Sequence, residues 1–191
     1  ASDVYKRQEF KGKNIVLVFY PAAFTGVCKT ELCHFRDDLS KFSNMNAEVI
    51  GISVDYPFSV KEFSTTNDIN FLLLCDYNKT VIKQFDIEFS DFFSLDGYTV
   101  AKRSVFIVDK SGIIQYKWIA DDPGQEPDYT EIDSKISSMP SPLFALASKI
   151  SSSSHPVNSI TCFFTFSISA LGKSILFIIG IILRSLSTAN K

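Results

Sequence analysis

Asn14-Ile-Val-Leu-Val-Phe-Tyr-Pro-Ala-Ala-Phe-Thr-Gly-Val-Cys28 decides the reading of this chain. Asn14 to Tyr20 is a continuous apolar run, the pattern of a strand buried on both faces. Pro21 ends it. A helix is predicted from about Val27 to Phe42, because Leu32, Phe35, Leu39 and Phe42 recur at spacings of three and four. Cys28 therefore stands just past a strand and a loop, at the start of a helix. The free N–H groups and the positive end of the helix dipole stabilise an anion there, and the thiolate is the nucleophilic form of cysteine.

Working outward, the same alternation continues. Ala47 to Asp55 reads as a second strand, and Pro57 opens a helix running to about Thr66. Asn70–Cys75 is a third strand and Lys79–Phe85 a short helix. Ser104–Asp109 and Ile114–Trp118 form a hairpin turning at Ser111-Gly112. Strands alternating with helices and closing on a hairpin predict an α/β domain, a mixed central sheet flanked by helices. Arg103 enters the strand at Ser104. If that strand lies beside Asn14–Tyr20, Arg103 comes towards Cys28.

The 191 residues, 46% hydrophobic and 21% charged, suit one domain rather than two and exclude wholesale disorder. A net charge of −2 argues against nucleic-acid binding through a basic surface. Four cysteines are too few for a disulfide-stapled mini-protein, and two isolated histidines make no metal constellation.

The charge is unevenly spread. Every acidic residue lies at or before Asp133, so residues 1–133 carry −7 and the five later basic residues give the remainder +5. Ala1–Gln8 reads as the translation of a transposase-adapter sequence used in DNA library preparation; a natural polar terminus is the alternative. Residues 9–136 form the domain and 137–159 a Ser-rich linker with Pro140, Pro142 and Pro156. Ile160–Leu183 has 16 apolar residues in 24 and one charge, Lys173, and is long enough to span a bilayer. Out-of-frame translation, a membrane anchor and a soluble helical hairpin all fit it. Residues 184–191 close the chain, so the tail is expected to be irregular or helical.

Pro21-x3-Thr25-x2-Cys28 with the later Arg103 resembles the peroxiredoxin active-site signature. Phe10–Lys13, Cys28-x4-Cys33 with Phe35-Arg-Asp37, Ile50–Asp55, Ala101–Asp109 and Asp121–Tyr129 match in the same order. The likeness is closest to the bacterioferritin-comigratory (Q-type) branch, especially archaeal-looking members, and covers about residues 9–136. It lacks the family's first strand or hairpin, so the chain resembles an N-terminally truncated member.

The resemblance implies a thioredoxin-like fold and a thioredoxin-dependent thiol peroxidase acting on hydrogen peroxide or alkyl hydroperoxides. Cys28 is then the peroxidatic cysteine, Thr25 and Arg103 bind and polarise the peroxide, Pro21 shields the site, and Glu31 supports it. No metal, haem or flavin is implied. Cys33 is the resolving partner, and a thioredoxin-type reductant recycles the disulfide. In a regular helix, Cα atoms five residues apart are about 8.6 Å apart, beyond the limit of about 7 Å for a disulfide. Closing Cys28–Cys33 therefore requires the first turns to unwind.

Cys75 reads as a core residue and His34 as a surface one. A monomer or weak homodimer in the cytoplasm is expected, membrane-tethered if residues 160–183 are a genuine span. A peroxide-sensing switch using the same thiolate is one alternative. A thioredoxin-like disulfide oxidoreductase is another, although its usual Cys-x2-Cys spacing is absent.

Overall fold

A computed structural model describes residues 10 and 12–139. The adapter-like segment 1–8, the apolar segment 160–183 and the tail 184–191 lie outside the described residues, as does all but the start of the linker.

Five strands form one sheet, in the order Leu72–Cys75, Ala47–Ser53, Asn14–Phe19, Ser104–Val108, Ile114–Ile119. They are β1 (Asn14–Phe19), β2 (Ala47–Ser53), β3 (Leu72–Cys75), β6 (Ser104–Val108) and β7 (Ile114–Ile119). β1, β2 and β3 are parallel; β6 runs antiparallel to β1, and β7 antiparallel to β6. The central strand β1 is buried along its whole length, which explains its unbroken apolar run.

The alternation of side chains across β1 divides the core in two. Ile15, Leu17 and Phe19 join Ile50, Ile52, Leu74 and Phe106 on one face, where α4 (Thr80–Gln84) adds Val81 and Ile82. Val16 and Val18 face the other way. There they meet α1 (Gly26–Asp37), α2 (Leu39–Asn44), α3 (Pro57–Thr66) and α5 (Tyr129–Ser137) through Leu32, Phe35, Phe42, Phe63, Ile132 and Ile136. This mixed sheet with helices on both faces is the predicted fold class.

Four details differ from the sequence reading. The helix expected over Val27–Phe42 is two helices, because Asp38 leaves helical geometry at φ −90° and ψ 5°. Asp38 accepts backbone bonds from Lys41 and Phe42, starting the second helix. β3 begins at Leu72 rather than Asn70. A two-stranded ribbon, β4 (Glu88–Phe89) with β5 (Val100–Ala101), encloses a 3-10 turn at Phe92–Ser94 that no periodicity announced. Finally, a helix that was not predicted, α5, runs to Ser137, where a linker was expected to begin; its N-cap, Asp128, accepts bonds from the amides of Thr130 and Glu131.

Candidate active site

The β1–β6 pairing sets the site. Phe19 pairs with Ser104, so Arg103 lies opposite the carboxyl end of β1, where the chain turns through Pro21–Thr25 into α1. Cys28 is the third residue of α1 and is 1% exposed. The first intrahelical bond of this segment runs from the amide of Lys29 to the carbonyl of Thr25. The preceding amides, including that of Cys28, are the free donors of a helix start.

Arg103 is the cation that the sequence put near Cys28. It is as buried as the thiol, 1% exposed, and its Nη2 donates to Cys28 Sγ at 3.3 Å. Nη1 donates to the carboxylate of Glu31, one turn along α1. Nε and Nη2 donate to the carbonyl of Pro123 at 3.1 and 2.9 Å. Burial opposes the guanidinium charge, yet Glu31 and Cys28 outweigh it and hold the Arg103 pKa above its ordinary value. The guanidinium is thus a fixed, charged fork with one arm on sulfur.

Glu31 is fully buried, and burial pushes its carboxyl up to about 7 despite the opposing pull of Arg103. Its Oε1 has no hydrogen-bond partner among the described residues. That oxygen is where a proton resides most cheaply.

Thr25 is the N-cap residue of α1, in extended geometry, but its hydroxyl does not cap the helix. It donates to the carbonyl of Ala22 at 3.0 Å instead. Its oxygen keeps lone pairs for an incoming donor. Pro21, which opens this loop, is buried. Cys33 is half-buried on the same helix as Cys28; both thiols are free, so the reduced state has the intact helix that keeps them apart. Cys75 is buried at the end of β3, and burial, with Asp55 adding to it, pushes its thiol up to about 12. Among the described residues no cluster of His, Cys, Asp or Glu could hold a metal ion.

Three groups at the site were given no role from sequence. The Pro123 carbonyl was invisible because a backbone acceptor has no residue-type signature. His34, read as a surface residue, stacks on the Tyr129 ring with centroids 3.6 Å apart, and Tyr129 also meets Phe35 edge-on. Asp55 ends the Ile50–Asp55 motif, and its carboxylate Oδ2 accepts from the amide of Ala23 at 2.8 Å.

Residues 2–117 match the AhpC/TSA family, and the chain belongs to it. Within that family its likeness includes the Q-type peroxiredoxins. It is 40% identical over 108 residues to the chloroplastic peroxiredoxin Q of Oryza sativa subsp. japonica, covering 56% of this chain and 48% of that one. It is 36% identical over 122 residues to the mitochondrial thioredoxin-dependent peroxide reductase of Bos taurus, covering 60% of this chain and 45% of that one. Among solved structures, peroxidoxin BcpB of Mycobacterium tuberculosis superposes with a TM-score of 0.61 at 26% identity, covering 71% of this chain and 86% of that one. PrxQ of Xylella fastidiosa gives 0.59 at 25% identity, covering 68% and 79%. The chain spans about half the length of the curated relatives it matches. No helix among the described residues is long and apolar enough to cross a membrane.

Proposed function

We propose that this chain is a thiol peroxidase in which Cys28 reduces hydrogen peroxide and organic hydroperoxides. The observation that carries the reading is the buried Arg103 Nη2–Cys28 Sγ contact at the start of α1, with the same guanidinium held by Glu31 and Pro123. The contact sets a fixed positive charge against the sulfur at the start of a helix, where negative charge develops during peroxide attack. The names of the relatives, peroxiredoxin Q and thioredoxin-dependent peroxide reductase, agree with it.

The chemistry follows from the groups. The Cys28 thiolate attacks one peroxide oxygen; the S–O bond forms as the O–O bond breaks, and the distal oxygen leaves with a proton as water or alcohol. Cys28 becomes a sulfenic acid. Arg103 stabilises negative charge spreading over the two oxygens, and Thr25 offers its oxygen to the peroxide proton. Pro21, buried at the start of the loop, restricts water. Cys33 then attacks the sulfenic sulfur and expels water, giving a Cys28–Cys33 disulfide. A thioredoxin-type dithiol reduces it by exchange. Such a cycle suits a cytoplasmic, reducing compartment, and a monomer or weak homodimer suffices because both cysteines lie on one helix.

Peroxide consumption with a thioredoxin system tests this. Cys28→Ser is expected to abolish turnover, and Cys33→Ser to stop after about one equivalent. Removing the charge with Arg103→Gln should lower the rate on the order of 10²-fold, the scale of losing one preorganised donor. Peroxide turnover persisting in Cys28→Ser would refute the reading.

A further inference from the structure

The loop between β1 and α1 hangs on a single peptide unit. The carbonyl of Ala22 accepts the Thr25 hydroxyl at 3.0 Å, and the amide of Ala23, the other end of the same planar group, donates to Asp55 Oδ2 at 2.8 Å. That carboxylate is itself fixed. The fully buried Ser53 hydroxyl donates to the same Oδ2 at 2.9 Å, and the Asp55 amide donates back to Ser53 Oγ at 3.3 Å. Phe24 follows in the left-handed region at φ +63°, costly for a bulky residue. Its ring meets Phe63 edge-on at 5.3 Å. A loop held in that conformation needs anchors on both sides.

We infer that Asp55 is a positioning residue for peroxide reduction, orienting the Thr25 hydroxyl through the Ala22–Ala23 peptide. A peptide plane cannot turn at one end only. While Asp55 holds the N–H, the carbonyl stays aimed at Thr25, and the Thr25 oxygen stays aimed at an incoming peroxide. This rests on the proposed role of Thr25. Asp55 reaches the loop from the end of β2, so the sheet, rather than α1, sets the angle of the hydroxyl. The anchor therefore need not move when the first turns of α1 unwind. A return to the folded state finds the pocket already built.

The test is a double-mutant cycle on the full chain, reading the second-order rate of Cys28 oxidation by hydrogen peroxide. Asp55→Ala is expected to lose about tenfold. Asp55→Asn keeps an oxygen acceptor for Ala23 and is expected within about twofold of the parent. On a Thr25→Val background, which has no hydroxyl to orient, Asp55→Ala should cost nothing further. Equal losses in both backgrounds would show that Asp55 supports the fold generally and would overturn the inference, as would an undiminished rate in Asp55→Ala. Amide hydrogen exchange at Ala23–Thr25 is read in parallel. It should quicken at least tenfold in Asp55→Ala and not in Asp55→Asn. If the parent chain fails to react with peroxide, the functional reading falls and the positioning role with it. The exchange then still shows whether Asp55 holds the loop.

Discussion

Glu31 shows how much chemistry one buried side chain carries. An exposed glutamate titrates near 4.5, whereas this carboxyl is pushed up to about 7 by burial, against the pull of Arg103. Between those values the folded chain holds a proton that the unfolded chain releases. Stability from this group is therefore complete below about pH 4.5 and is lost as pH rises through about 7. Glu31→Gln cannot titrate and keeps an oxygen for Arg103. Urea unfolding from pH 5 to 8 should show the parent losing stability relative to Glu31→Gln as pH rises; parallel curves would refute the coupling. Cys28, Arg103, Thr25 and Pro21 were legible as candidates because each is a residue type with its own chemistry in a quoted spacing, whereas Glu31 entered only through the family resemblance. Asp55 and Pro123 stood in quoted motifs without a role, since what each contributes depends on which loop it meets in space. The structure commits the Thr25 hydroxyl proton to the carbonyl of Ala22, which no spacing in the sequence announced.

At the scale of elements, the strands were read from periodicity with small errors at their ends. The helices were read less well. Asp38 divides one expected helix into two, a local choice of backbone angles that spacing alone does not encode. α5 was missed although Asp128 followed by Glu131 is a recognisable start. The ribbon of β4 and β5 is too short to show a period. Two predictions belong here. Gly51 lies in β2 between Val18 and Leu73, and a Cβ there would come within 2.4 Å of Leu73 Cδ2 and 3.5 Å of the Tyr20 ring. Gly51→Ala should destabilise by about 1–3 kcal/mol, the usual cost of overpacking, measured as a lower urea midpoint; an unchanged midpoint would show that Leu73 yields freely. The second concerns α1. Joining Cys28 to Cys33 requires its first two turns to unwind, while His34 and Phe35 remain held by Tyr129. Peroxide should lower the 222 nm ellipticity reversibly in the parent and not in Cys33→Ser. A formed disulfide with an unchanged spectrum would rule the unwinding out.

At the scale of the whole molecule, the question is where the folding unit ends. The charge of the sequence changes after Asp133, and the core of the described residues continues past that point. Ile132 and Ile136 are buried at 0% and 1% exposure and help close the face that holds Cys28, Leu32 and Phe35. The same helix starts at Tyr129, whose ring rests on His34, and the segment before it supplies the Pro123 carbonyl to Arg103. Among the described residues α5 is thus both the last layer of the core and the anchor of the strap that holds Arg103. A chain stopped after Met139 should keep a cooperative urea transition by Trp118 fluorescence and the peroxide rate of the full chain. One stopped after Pro127 should lose both, since it uncovers the Val16 face of the sheet and frees one end of the strap. Loss of the transition in the longer truncation would place residues beyond 139 within the folding unit. Retention in the shorter one would mean that α5 only decorates a core already complete without it.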